Sequence, residues 1–259
     1  MKVIGIDPAP GKKSTICQIS KSGQIEFNQL SAGELHDFLD SPAKDTLICW
    51  DAPLTMGDSS NISAEGVFTR RKIEKVFASG DLKAPKGISV LGYCGCPHWT
   101  ISQFLLGYPK IYPADNSSRD FKLIHSCEDM KDRKKGPYLA EVHPAVALWF
   151  WYVDYYKIVD DNALNLKYKN IKKSESKIEL LINLCNAKFG ADLPANTTDD
   201  QLDAWVAWKL GDLLIKDHEN QTKTVDFLGS EKEGSFMLPC TAKLSEYQKK
   251  LHNILNNNS

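Results

Sequence analysis

Apolar and polar positions alternate in two rhythms along the chain. Near the start, "KVIGID", "STICQIS" and "GQIEFNQL" are short strand-like segments, the third with period-two alternation. Gly- and Pro-containing turns separate them, so the spacing predicts a three-strand meander. "SAGELHDFLDS" places Leu35, Phe38 and Leu39 at helical spacing, and Ser31 followed by Glu34 predicts a capped helix start. "DTLICWDAPL" then reads as a strand. Because "VIGI" and "LICW" are continuously apolar, both faces of these strands should be covered, as in parallel strands flanked by helices.

Over residues 52–136 the rhythm breaks at Pro85, Pro97, Pro109, Pro113 and several glycines. Helices are predicted over "FTRRKIEKVFASG" and around "HWTISQFLLG". The segment reads as an insertion partly covering a site, since structureless loops of that length are uncommon. Regularity returns with the strand "YLAEVHP", and Pro144 suits the first position of the helix "AVALWFWYVDYY". "KSESKIELLINLCNAKFG" predicts a helix with a Ser176/Glu179 capping box and a stop at Gly190. "TTDDQLDAWVAWKLGD" predicts another, capped by Thr198 and Gln201, with Leu202, Trp205, Val206, Leu210, Leu213 and Leu214 as its buried stripe. A turn with a short strand, "FLGSEKEGSFMLP", and a terminal helix close the pattern. The order predicts one α/β domain over residues 1–259 with an insertion at 52–136.

Composition narrows the function classes. A chain of 259 residues that is 42% hydrophobic and 25% charged has the make-up of a globular protein. Its net charge of −1 excludes a globally basic nucleic-acid binder but leaves room for local patches at "TRRKIEKVFASGDLKAPK" and "NLKYKNIKKSESK", whose default reading is a solvated surface. No apolar run approaches the ~20 residues that span a bilayer, and "MKVIGIDPAP" lacks the layout of a signal peptide, so a cytoplasmic location without membrane contact is expected. Seven cysteines, an odd number, several of them inside apolar segments, suit reduced buried thiols. "CGCPHW" (Cys94, Cys96, His98), with His125 and Cys127, has tighter spacing than zinc sites use, which favours free thiols.

The carboxylates are more informative. Asp7 and Asp51 each stand at the carboxyl end of a predicted central strand, where open α/β sheets place ligands. Glu141 lies inside a strand, where an acid needs a cation or donor. Asp199, Asp200 and Asp203 open the late helix. The helix dipole accounts for Asp199 and Asp200, but Asp203 lies one turn further in. Ala204, Ala207 and Gly211 on its side predict a close approach to the sheet. Clustered carboxylates repel unless compensated, and an oxygen-only ligand set suits Mg²⁺ or Mn²⁺; two such ions can activate water at a phosphodiester.

The ordered set "GIDPAP", "CWDAPL", "RRKIE", "AEVHPA", "DDQLDAWVAW" and "EGSFMLP" resembles the domain of unknown function 429 family, predicted nucleases of the ribonuclease H-like superfamily. The resemblance covers roughly residues 2–239. It implies a mixed five-stranded sheet, a three-strand meander plus parallel strands, flanked by helices. It also implies metal-binding roles for Asp7, Asp51 and Asp203, joined by Asp200 and Glu141, two Mg²⁺ or Mn²⁺ ions, and a DNA or RNA partner. Ala9, between Pro8 and Pro10, and the segment "GYCGCPHWT" depart from the pattern. For a nuclease, Arg70, Arg71 and Lys72 are expected to meet phosphates, with Lys12 and Lys13 nearer the metals and His143 as a base, a phosphate contact or a helix cap. The aromatic run "LWFWYVDYY" reads as core helix before base-stacking surface. Two other classes stay open: a catalytically silent nucleic-acid-binding or partner protein, and an ATP-dependent phosphotransferase of the actin-like or sugar kinase type using "DPAPGKKST".

Overall fold

The computed structural model describes residues 1–40, 42–55, 71–78, 83–90, 97–106, 121–130, 136–169 and 172–256. Strands β1 (Lys2–Asp7), β2 (Ser14–Ile19), β3 (Ile25–Leu30), β4 (Thr46–Trp50), β5 (Lys122–Ile124) and β6 (Tyr138–Glu141) form one mixed sheet in the order β3-β2-β1-β4-β6-β5. The meander β1-β2-β3 is antiparallel, whereas β1/β4, β4/β6 and β5/β6 are parallel. The sheet therefore has six strands where the sequence predicts five. The extra one, β5, is three residues at the sheet edge, too short to carry a period.

Alternation along the strands explains their continuous apolar character. Ile4, Ile6, Ile48 and Trp50 pack with Leu35 and Leu39 of α1 (Ala32–Asp40) and with Ile101 and Leu105 of α3 (Pro97–Leu106). Trp50 Nε1 donates to Ser102 Oγ at 2.8 Å, which pins α3 to this face. On the other face Leu47, Cys49 and Ala140 meet α4 (Pro144–Tyr156), α5 (Ile178–Phe189) and α6 (Asp199–Asn220). Trp149, Phe150 and Trp151 of α4 are buried there, so the aromatic run is core. The predicted stripe of α6 is buried apart from Leu213, which is partly so.

Helix α6 lies unusually close to the sheet. A Cβ at Gly5 of β1 would fall 2.1 Å from the Ala204 carbonyl oxygen, and one at Gly211 would fall 2.6 Å from Val3 Cγ1 and 2.7 Å from Cys49 Sγ. Neither position tolerates a side chain without displacing backbone or core. The capping box of α6 forms as read, with Thr198 N donating to Gln201 Oε1 at 2.9 Å and Gln201 N donating to Thr198 Oγ1 at 3.2 Å.

Three local expectations need correction. Helix α2 is only Lys72–Lys75, shorter than the helix read over 68–80, of which 68–70 and 79–80 lie outside the described residues. The Ser176/Glu179 box does not form: Lys177 is the N-cap of α5, and Ser176 Oγ accepts from Ile178 N and donates to the Tyr168 carbonyl, both at 3.2 Å. The late "FLGSEKEGSFMLP" segment is a full hairpin, β7 (Val225–Ser230) with β8 (Gly234–Pro239), followed by α7 (Ala242–Asn256). Among the described residues no helix is long and apolar enough to cross a membrane.

Candidate functional site

Parallel pairing sets the site. Ile6 of β1 aligns with Trp50 of β4, and Trp50 with Glu141 of β6, so Asp7, Asp51 and Glu141 emerge side by side at one sheet edge. Asp51 N donates to the Ile6 carbonyl at 3.0 Å, continuing the ladder one residue beyond β4. The glycine contact between α6 and β1 then lowers Asp203 onto this edge. Ligand oxygens of Asp7, Asp51 and Asp203 all lie within 4.8 Å of one another. Asp203 is fully buried, Asp7 is buried and Asp51 is half-buried.

Burial first, and then mutual repulsion, shapes their titration. Desolvation pushes Asp7 well above the usual carboxylate range, with Asp203 adding and Lys169 opposing. Desolvation pushes Asp51 up to about 7, again against the pull of Lys169. Asp203 is also raised by burial, while Lys169 and the hydroxyl of Tyr168 hold it down. Tyr168 Oη donates to Asp203 Oδ1 at 2.6 Å, and the Lys169 ammonium pairs with Asp203 Oδ2.

Lys169 is a member of the cluster that sequence reasoning missed, because it falls inside a basic stretch whose default reading is solvated surface. Loss of solvent would lower its pKa, yet Asp203, Tyr168, Asp51 and Asp7 together raise it well above the ordinary lysine value. Its loop is held by two local bonds, Ser176 Oγ to the Tyr168 carbonyl and Lys177 N to the Lys167 carbonyl at 3.0 Å, and by one distant along the chain, Leu166 N to the Lys86 carbonyl at 2.9 Å. With all groups ionised, three carboxylates and one ammonium leave the cluster at −2.

The remaining expected residues divide. Glu141 stands next to the triad but is not a member. Its Oε1 and Oε2 accept from Arg71 Nη2 at 2.6 Å and Nη1 at 2.9 Å, and Oε2 also accepts from Leu54 N at 2.8 Å. Glu141, expected as a metal ligand, is therefore not part of the acidic group the structure brings together, and both of its oxygens already accept from donors. Arg71 cannot serve as a phosphate contact either: it is 3% exposed, and its remaining donors go to Glu74 Oε1 at 2.6 Å and to the Thr55 carbonyl at 2.8 Å. Such a bidentate guanidinium is consumed by carboxylates. Arg70 lies outside the described residues, and Lys72 is half-buried on α2.

Asp200 sits on the rim, where its Oδ2 accepts from Lys12 Nζ at 2.6 Å; Lys13 is exposed. Asp199 opens α6 as a first-turn acid. His143 is the N-cap of α4 but makes no side-chain cap, and burial, reinforced by Lys169, pushes its pKa down to about 3. It is therefore neutral in the working range of a base. Cys94 and Cys96 lie outside the described residues, His98 is exposed, His125 Nδ1 bonds Ser235 Oγ at 2.8 Å, and Cys127 Sγ contacts the Val225 carbonyl.

No family model, no curated protein and no solved structure matches the chain. What the geometry defines is an α/β protein with a buried aspartate triad at the carboxyl edge of its sheet, able to hold a metal ion.

Proposed function

We propose that the protein is a Mg²⁺- or Mn²⁺-dependent phosphodiesterase of ribonuclease H-like architecture that hydrolyses a nucleic-acid phosphodiester. The observation that carries this reading is the convergence of Asp7, Asp51 and Asp203 within 4.8 Å, from two parallel strands and one helix. The meander, the parallel β4 and β6, and a helix packed on β1 support the architecture.

The residues fit such an ion on chemical grounds. All three donors are carboxylate oxygens, the choice of hard divalent cations. One divalent ion would bring the ionised cluster from −2 to neutrality, with Lys169 retained. Asp7, Asp51 and Asp203 would hold it, and the ion would supply Lewis-acid chemistry that activates water and stabilises charge on phosphoryl oxygens. Asp203 is oriented by the Tyr168 hydroxyl, which leaves its second oxygen turned to the ammonium. Lys169 is placed to hold a phosphate oxygen by charge, as a point-charge donor. Asp200 with Lys12 forms the outer rim.

The ion pair between Lys169 and Asp203 favours one other reading, in which the ammonium permanently replaces the metal and the protein binds nucleic acid without cutting it. Incubation of labelled single- and double-stranded DNA and RNA oligonucleotides with Mn²⁺ separates the two. Cleavage by the wild type that is lost in Asp7→Asn supports the phosphodiesterase; retention of every oligonucleotide uncut, with binding, supports the silent binder.

A further inference from the structure

Beside the triad opens a cavity of about 600 Å³, within the size range that encloses small organic ligands. Asp51 and Lys169 bound it on the triad side, with Lys86, Lys167, Phe236 and Glu74 among its other walls. The two lysine-bearing segments form one tight wall. Lys86 and Asn165 bridge as strands, and a Cβ at Gly87, at φ 95°, would fall 2.3 Å from the Lys167 nitrogen.

A polar chain leads from the triad to Glu74. Glu141 is paired in register with Trp50, the residue before Asp51; it is forked onto Arg71, and Arg71 holds Glu74 through Oε1. Glu74 is 1% exposed, and its Oε2 has no hydrogen-bond partner among the described residues. Another cavity-lining residue, His143, has a buried Nδ1 that is likewise without a partner. A buried polar atom left unpaired costs about 1–3 kcal/mol, so Glu74 Oε2 marks where a ligand's donor belongs and His143 Nδ1 a second polar contact of either sense. The cavity thus offers the Lys169 ammonium at one part of its wall and an unmet carboxylate oxygen, Glu74 Oε2, at another.

A ligand with a phosphate at one end and an amino-bearing heterocycle at the other matches that polarity, and the volume admits one such unit but no stretch of duplex. We propose that the cavity receives a single nucleotide unit, phosphate toward Lys169 and the amino edge of its base toward Glu74. The proposal rests on the phosphodiesterase reading for the phosphate's role and deepens it, because a pocket sized for one unit beside the triad accepts a strand end or a free nucleotide in preference to the interior of a long strand.

The test is calorimetric titration, with and without Mg²⁺, of adenosine 5′-monophosphate, purine riboside 5′-monophosphate, which lacks only the 6-amino group, and ribose 5-phosphate. The wild type should bind the adenosine compound, and loss of the amino group should weaken binding about tenfold, the effect of one hydrogen bond to a charged acceptor. Ser89→Trp, at an exposed position of the cavity wall, should weaken it at least as much without altering Mn²⁺ affinity. Absence of binding in both conditions, equal binding by Ser89→Trp, or equal binding with and without the amino group would overturn the proposal. Linear and covalently closed single-stranded oligonucleotides, offered with Mn²⁺, distinguish the sources: cutting of the linear form alone identifies the strand end, cutting of neither with mononucleotide binding intact identifies the free nucleotide, and equal cutting of both contradicts the pocket. Failure of the metal site would show separately, as absent Mn²⁺ affinity with nucleotide binding intact.

Discussion

Two buried ionic clusters lie a few residues apart in this protein and solve the same electrostatic problem differently. Around Arg71, the guanidinium fork meets Glu141 and Glu74, and the Leu54 amide and Thr55 carbonyl complete the set. At the triad, three carboxylates face a single ammonium carried on a loop, 39% of whose side chain is exposed. The first has its guanidinium donors paired and leaves one oxygen, Glu74 Oε2, unmet; the second is short of positive charge and reachable from outside. A cluster of the first kind holds the β4 and β6 ends together, whereas one of the second kind has room for a ligand that brings charge.

The largest effect should come from breaking the Arg71 cluster. Arg71→Met leaves Glu141 and Glu74 buried without their cation, and chemical denaturation should show a loss of about 3–5 kcal/mol. Removing a carboxylate at the triad should act in the opposite sense. Asp203→Asn removes one of three repelling charges while keeping an acceptor for Tyr168, so the metal-free protein at alkaline pH should be unchanged or more stable by about 1 kcal/mol. The rise in Tm that Mn²⁺ gives the wild type should vanish. Equal destabilisation by both variants would erase the distinction between the clusters.

The titration of Asp51 sharpens it further. Its folded-state value of about 7 lies above the ordinary aspartate value of 3.8, so between them the folded chain binds the extra proton. Stability in a chelator should therefore be fully present below the lower value and decline as pH rises through the upper one. Asp51→Asn should flatten that slope, as read by Tm against pH. The smallest effect is expected at the rim: Lys12→Ala breaks an ion pair whose lysine side chain is 59% exposed, and stability should change by less than about 1 kcal/mol.

Legibility from sequence followed the same divide. Asp7 and Asp51 could be read because each ends a strand recognisable by its apolar run. Asp203 could be read because helical register sets it with Ala204 and Gly211. Gly5, the sheet-side half of that contact, carried no signal of its own, since a glycine inside a strand shows its reason only when the opposing helix is placed. Lys169 and the Arg71–Glu141 pair were invisible for a related reason. Their partners lie 34 and 70 positions away along the chain, and nothing periodic in a loop or a four-residue helix announces a tertiary ion pair. Edge strand β5 escaped because three residues cannot display alternation.

The central claim is that the triad is a cation site rather than a self-neutralised ion pair. Its most direct test is calorimetric titration of the wild type and Asp7→Asn with Mn²⁺ and Mg²⁺ at pH 8, where the carboxylates ionise most readily. The account predicts saturable binding by the wild type that is lost or weakened at least about tenfold in Asp7→Asn, the consequence of removing one charged ligand. A wild type with no affinity for either ion, or an Asp7→Asn variant that binds as the wild type does, would contradict it.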